Sequence, residues 1–299
     1  VKERIGFIGV GLMGHGMAGN LVDKGWPLTV VGHRNRAPVE NLKARGAEEA
    51  DTARELALQS DVVLLCVTGS PEVQEVISGP DGLVAAGKPL LIIDCSTSDP
   101  SVTTRLAGDL AKSNITLIDA PLSRTPADAH AGTLDVMVGG DPDVVARARP
   151  VLEAFAARVV HTGPTGTGHT MKLLNNFLSM GYAALYSEAL ALGAKAGLTS
   201  QVFDSVIRGG RMDCPFYQTF FKWVLDRDPN AHKFAIRNGL KDMTYLASFA
   251  NAAGLANPMG AAVRNSFALA VGTGHGEDYV PMLADVVAGL NGVSPREAT

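Results

Sequence analysis

The sequence predicts an α/β fold: an N-terminal doubly wound sheet followed by an all-α C-terminal domain, joined by a long interdomain helix. Three observations carry this. Short apolar runs alternate with helix-like segments through the first half, a glycine-rich turn follows the first of those runs, and no convincing strand pattern occurs from Met171 onward. At 299 residues the chain exceeds an ordinary single core, so two domains are expected. The glycine-rich "GPTGTG", Gly163 to Gly168, marks the change and divides the chain into 1–163 and 164–299.

Taken in order, "RIGFIGV" reads as a strand and Gly11 to Lys24 as a helix. "PLTVVGH" is the second strand and Arg36 to Arg45 the second helix. "DVVLLCV" precedes a short helix over Pro71 to Ile77, and "PLLIIDCS" precedes one over Ser101 to Lys112. "TLIDAPL", "LDVMVGG" and "ARVVHTG" complete the strands. Apolar strands interleaved with helices predict a parallel sheet covered on both faces. In the second half, "MKLLNNFLSMGYAALYSEALALGAKAG" is one long helix ending at Gly197, and Ser200 to Arg208 and Leu240 to Ala253 are further helices.

The bulk numbers bound the function. Net charge is −4, so there is no global basic field for nucleic acid or membrane, and any anion site must be local. The three cysteines, Cys66, Cys95 and Cys214, are far apart and fit a reducing compartment better than a disulfide framework or a zinc site. No His, Cys and carboxylate cluster argues for a metal. The opening apolar run flows into the glycine turn instead of a cleavage site, and no apolar run reaches the length of a membrane span. The cytoplasm is the expected location.

The strongest local motif is "GVGLMG", with Gly9, Gly11 and Gly14 in G-x-G-x-x-G spacing after a strand and before a helix. The first glycine permits the turn, the second lets a pyrophosphate approach the backbone, and the third lets helix and strand pack. A Rossmann-type dinucleotide site follows, with Leu12 and Met13 inside its turn and Val67 at the end of the "DVVLLCV" run. NAD sites usually place an acid at the end of the second strand, yet that end reads "VVGHRNRAP". Arg34 and Arg36, flanking Asn35, can face a 2′-phosphate, which favours NADP over NAD. Solvated helix-start residues would look the same.

Other stretches carry polar groups of chemical interest. In "GPTGTGHTMKLLNN", Lys172 lies near the start of the long helix, where the helix dipole disfavours a cation, and Asn176 shares its face one turn on. A lysine enclosed there can pass a proton to and from a hydroxyl. "DCSTSDP" puts Ser96 and Thr97 after a strand, where α/β sheets bind ligands, although Ser98 or Asp99 equally suits a helix cap. "GLKDM" holds Lys241 and Asp242, which alone read as a solvated pair. "DAPLSRTPADAHAGTL", Asp119 to Leu134, sets Arg124 in a loop of small residues, suited either to solubility or to holding an anion.

With "GFIGVGLMGHGMAGNL", "DCSTSDP", "DAPLSRTPADAHAGTL", "GTGHTMKLLNN" and "GLKDM" in order across both halves, the chain resembles the β-hydroxyacid dehydrogenase family. That family includes 3-hydroxyisobutyrate dehydrogenases and tartronate semialdehyde reductases. The resemblance implies hydride transfer between a nicotinamide cofactor and a small anionic β-hydroxy acid or its semialdehyde. It implies Lys172 as general acid/base, Asn176 beside the substrate, and Ser123 with the residues after it, including Thr125, as substrate loop. It implies Thr97, Phe234, Lys241 and Asp242 near the cofactor, with Lys241 also in reach of a substrate anion. It implies a homodimer or homotetramer with the active site in an interdomain cleft. The usual loop continues Ser-Gly-Gly, whereas this one reads Ser123, Arg124, Thr125, similar to sulfolactaldehyde reductase relatives whose substrate ends in a sulfonate. Arg124 is therefore expected to grip the substrate's anionic end. Imine reductases share the architecture but generally lack the lysine. A non-catalytic nucleotide-binding scaffold is disfavoured by the presence of Lys172, Asn176, Lys241 and Asp242.

Overall fold

Six strands build the parallel part of the nine-stranded sheet of the first half: β1 (Ile5–Ile8), β2 (Leu28–Val31), β3 (Glu48–Ala50), β4 (Val62–Leu65), β5 (Leu90–Asp94) and β6 (Ile115–Asp119). In this computed structural model, which describes residues 2–294, they lie parallel in the order β3-β2-β1-β4-β5-β6. The crossovers are the helices α1 (Gly14–Asp23), α2 (Ala37–Ala44), α3 (Ala53–Gln59), α4 (Ser70–Ser78) and α5 (Pro100–Ala111). β3 and α3 were not legible as elements, because β3 is short and opens on two acids. The order reverses between β1 and β4, the switch point at which such sheets bind ligands.

Side-chain alternation explains the two covered faces. Phe7, Val30, Leu64 and Ile93 pack with Met17 and Leu21 of α1 on one side. Ile8, Val63, Leu65 and Ile92 pack with Leu56, Val73, Ile77 and Leu106 on the other. Strands buried on both faces need apolar residues at every position, hence the unbroken runs "VVLL" and "LLII".

Beyond β6 the sheet departs from the parallel expectation. β7 (Leu122–Ser123), α6 (Pro126–Ala131), β8 (Leu134–Gly139), α7 (Pro142–Leu152) and β9 (Ala156–Gly163) follow. β8 runs antiparallel to both β6 and β7, while β9 is parallel to β8. A parallel return needs a crossover of about a dozen residues or more, and the segment from Arg124 to Thr133 is shorter than that.

The chain divides into two compact units, the first running through Lys172 and the second starting at Leu173. That division falls inside helix α8 (Thr167–Lys195), past the glycine-rich segment. Its first turn goes with the sheet because Asp119, the last residue of β6, holds it. The buried carboxylate accepts hydrogen bonds from the backbone N–H of Gly166 at 2.6 Å and of His169 at 2.7 Å. These are donors that a helix start leaves without an intrahelical partner.

The second unit contains the rest of α8 with α9 (Ser200–Ile207), α10 (Pro215–Asp226), α11 (Ile236–Ala252), α12 (Pro258–Gly272) and α13 (Leu283–Leu290). Its core is aromatic: Tyr217, Phe220, Phe221 and Phe267 are fully enclosed, and the Tyr217 and Phe221 rings stack at 4.1 Å. Thr199 and Asn257 cap α9 and α12 through their side-chain oxygens. No helix among the described residues is long and apolar enough to cross a membrane.

Asp119→Ala should leave two buried N–H groups without an acceptor and lower stability by about 2–5 kcal/mol. Urea unfolding of the full chain followed by circular dichroism measures it.

Candidate active site

The glycine turn joins β1 to α1 at the switch point. Gly9 has φ +102°, and a Cβ there would lie 2.2 Å from the Cys66 carbonyl oxygen just past β4. At Gly14 a Cβ would lie 2.0 Å from the Gly9 carbonyl oxygen, so only glycine lets the helix start this close to the strand. Gly11 is different: a Cβ there would meet nothing within 4 Å. Its backbone faces open space, which is the room a pyrophosphate needs. No side chain caps α1 and no acid lies in its first turn, so the positive end of the helix is left for an anion. Leu12 is exposed, Met13 packs against the sheet core, and the Val67 N–H is held by Ser96 Oγ at 3.0 Å. These residues fit a dinucleotide.

The two arginines after β2 have different surroundings. Arg36 donates to both oxygens of Glu49, at 2.6 and 3.0 Å, and to Glu40 at 2.7 Å. Lys43 also reaches Glu49, at 3.0 Å. Hydrogen bonds from Arg36 first and Lys43 second hold the Glu49 carboxyl down at about 2. Arg34 is exposed and forms no ion pair among the described residues. Asn35 is spent locally, its side-chain oxygen accepting from the Ala37 N–H at 3.2 Å at the start of α2. Glu49 carries no signal in the sequence, because β3 has only three residues and opens on two acids.

At the ends of β5 and β6 lies a buried polar cluster. Asp94 accepts from the Ser96 N–H at 2.9 Å and from Ser98 Oγ at 3.1 Å. His169 is fully enclosed, with Nδ1 2.8 Å from Thr103 Oγ1 and Nε2 3.2 Å from the Ser96 carbonyl oxygen. A carbonyl only accepts, so Nε2 carries the proton. Asp94 and Asp119 lie 3.7 and 3.9 Å from the same ring. Burial pushes the Asp119 carboxyl above its ordinary value, opposed by the charge attraction of His169. The cluster binds the turn that carries Thr97 to the first turn of α8, one turn before Lys172. The signal in the sequence was two strands ending in aspartate, "LLIID" and "ITLID", at the sheet edge where ligands bind. Asp99 caps α5 by accepting from the Ser101 N–H, one of the two options weighed for that turn.

The segment after β6 is more ordered than a loop. Thr125 closes a capping box with Asp128 at the start of α6, so its hydroxyl is engaged in holding the helix. Ser123 ends β7, opposite Asp135 of β8. Arg124 forks onto the carboxylate of Asp135, at 2.9 and 3.1 Å. It also takes φ +87°, a left-handed conformation that favours glycine, as the family's usual loop residue there would suggest.

In the second unit, Asn176 is buried and donates through Nδ2 to Asp242 Oδ2 at 2.6 Å. Asp242 is fully enclosed on α11 and pairs through Oδ1 with Lys241 at 2.9 Å. Lys241 also lies 4.9 Å over the Tyr245 ring. The pair that looked solvated in sequence is thus partly buried and tied to the α8 asparagine. Phe234 is half-buried before α11, against the edge of His232. Lys172 is half-buried on α8, one turn before Asn176 on the same helix.

Comparison with known proteins decides the family. The model "NAD binding domain of 6-phosphogluconate dehydrogenase" matches residues 4–163, and "NAD-binding of NADP-dependent 3-hydroxyisobutyrate dehydrogenase" matches 166–285. The chain belongs to the β-hydroxyacid dehydrogenase family. This dehydrogenase is 37% identical to 3-hydroxyisobutyrate dehydrogenase of Pseudomonas aeruginosa, over 89% of this chain and 91% of that one. It is 30% identical to 3-sulfolactaldehyde reductase of Escherichia coli, over 94% of this chain and 95% of that one. Among solved structures it is similar to Mycobacterium tuberculosis 3-hydroxyisobutyrate dehydrogenase with L-serine, at 27% identity and TM-score 0.84, covering 96% and 99%. As a member of this family the chain is a nicotinamide-dependent oxidoreductase.

Proposed function

We propose that this dehydrogenase interconverts a small anionic β-hydroxy acid and its semialdehyde, with Lys172 moving the proton and NADP favoured over NAD. At the glycine turn Gly9, Gly11, Leu12, Met13 and Gly14, with Val67 and Thr97, would hold the cofactor, which would supply the hydride donor and acceptor. The side chains do the rest. In reduction Lys172 gives its proton to the carbonyl oxygen, and in oxidation it takes one from the hydroxyl. Asn176 presents its second amide hydrogen to the substrate while Asp242 accepts the first. Lys241 balances the buried Asp242 charge and adds a cation for the substrate.

The observation that carries this reading is the Asn176–Asp242 bond, one helical turn past Lys172. Enclosing a carboxylate with a lysine partner to anchor one amide is costly in desolvation, and ordinary helix packing gives no reason for it. Arg34, free of any ion pair among the described residues, is the group that meets the 2′-phosphate.

Arg124 with Ser123 forms the anion end of the substrate site, while Thr125, expected there from the resemblance, gives its N–H and hydroxyl to Asp128 and shapes the turn. The left-handed backbone at Arg124 is strained for any residue but glycine, and such strain collects at functional positions. The names of the relatives cover both a carboxylate and a sulfonate substrate, and a guanidinium fork suits either.

A homodimer or homotetramer is supported by α8, whose Leu174, Leu178, Tyr182, Leu185 and Leu192 are exposed at helical spacing along one face.

Lys172→Ala should lower kcat by roughly 10²–10⁴-fold while the Kd for NADPH stays within about twofold; steady-state kinetics and fluorescence titration measure the two. Arg124→Gly should raise KM for the best anionic substrate by about tenfold or more, through loss of the fork. Its Tm should not fall, because glycine relieves the backbone strain. An unchanged KM would remove Arg124 from the substrate site.

A further inference from the structure

We propose that Glu49 is the cofactor-selecting residue of this dehydrogenase: it neutralises Arg36 and so limits the enzyme's preference for a 2′-phosphorylated dinucleotide. The inference rests on the dinucleotide site proposed above.

The geometry begins at residue 32, where a Rossmann sheet usually carries its ribose-binding acid. Here that residue is Gly32. A Cβ on it would lie 2.2 Å from Arg36 Nη1 and 2.7 Å from Glu49 Oε1. The space that a side chain at the end of β2 would fill is therefore taken by an ion pair whose carboxylate comes from β3. Glu49 is well covered, with a side-chain exposure of 18%, while Arg36 stands at 49%. Both carboxylate oxygens are used, each taking an Arg36 nitrogen, and Lys43 and Glu40 close the cluster. Two cations and two anions leave it with no net charge.

A 2′-phosphate arriving at Arg36 has two options, and both are unfavourable. It can displace Glu49 from a bidentate pair, one of the stronger arrangements a guanidinium makes. Or it can bind beside the Glu49 and Glu40 carboxylates and meet like charge at close range. An unphosphorylated ribose faces neither cost. Arg34 lies outside the cluster and reads the phosphate alone. Selectivity is thus set by a repulsive element as well as an attractive one.

The test is a set of Kd values for NADPH and NADH, read by nicotinamide fluorescence on the full-length protein without substrate. Glu49→Gln removes the charge and keeps the shape. It should tighten NADPH roughly fivefold to twentyfold and leave NADH within about twofold. Adding Arg36→Ala to Glu49→Gln should erase the gain, whereas Arg36→Ala alone should move NADPH by no more than about twofold, because that guanidinium is already neutralised. A loosened fold would shift both cofactors together and would not be reversed by the second substitution. Unchanged NADPH affinity in Glu49→Gln, or weaker NADH binding without tighter NADPH, would overturn the proposal. Failure of the parent protein to bind either cofactor would instead sink the dinucleotide site itself.

Discussion

The carboxylate of Asp119 sits where the sheet ends and the long helix begins. It accepts the Gly166 and His169 N–H groups and lies beside the His169 ring. Through those contacts the turn carrying Lys172 is fixed to the end of β6, and through His169 to the Ser96 carbonyl past β5. A proton-transfer group must be held within a fraction of an ångström, and a helix start held only by solvent would fray. The buried acid solves this at a cost in desolvation, visible in its raised pKa. Glycine at 168 is part of the same arrangement, because a Cβ there would lie 2.5 Å from the Met137 carbonyl oxygen.

Much of this was legible in the residues. Gly9, Gly11 and Gly14 are spaced by the turn they must make, and α8 announces itself by length and composition. The Lys-Asn spacing on that helix is a property of the helix itself, so sequence alone placed the two on one face. What was not legible depends on contacts between distant positions. Glu49 meets Arg36 only because β3 pairs with β2. Asp135 meets Arg124 only because β8 returns antiparallel to β7. Lys241 and Asp242 read as solvated until α11 packs their neighbours into the helical core. The segment after β6 read as a loop, yet Thr125 and Asp128 formed a capping box, a pattern that local spacing did contain.

A common design runs through the charges. The chain is net negative, and two of its arginines suited to gripping an anion are already paired: Arg36 with Glu49, Arg124 with Asp135. A ligand at either position must exchange with a carboxylate, so these pairs select among anions as well as set their affinity. A bidentate fork suits a phosphate, carboxylate or sulfonate, while a weakly charged or misaligned group cannot displace the resident acid.

The central claim is hydride transfer from the carbinol carbon of a small anionic hydroxy acid to the nicotinamide. Its most direct measurement is label transfer: a hydroxy acid with every hydrogen on that carbon replaced by deuterium is incubated with the protein and oxidised cofactor, and the reduced cofactor is examined by mass spectrometry. The account predicts one deuterium in the reduced cofactor for each molecule oxidised. Substrate oxidation that leaves the label out of the cofactor would contradict it.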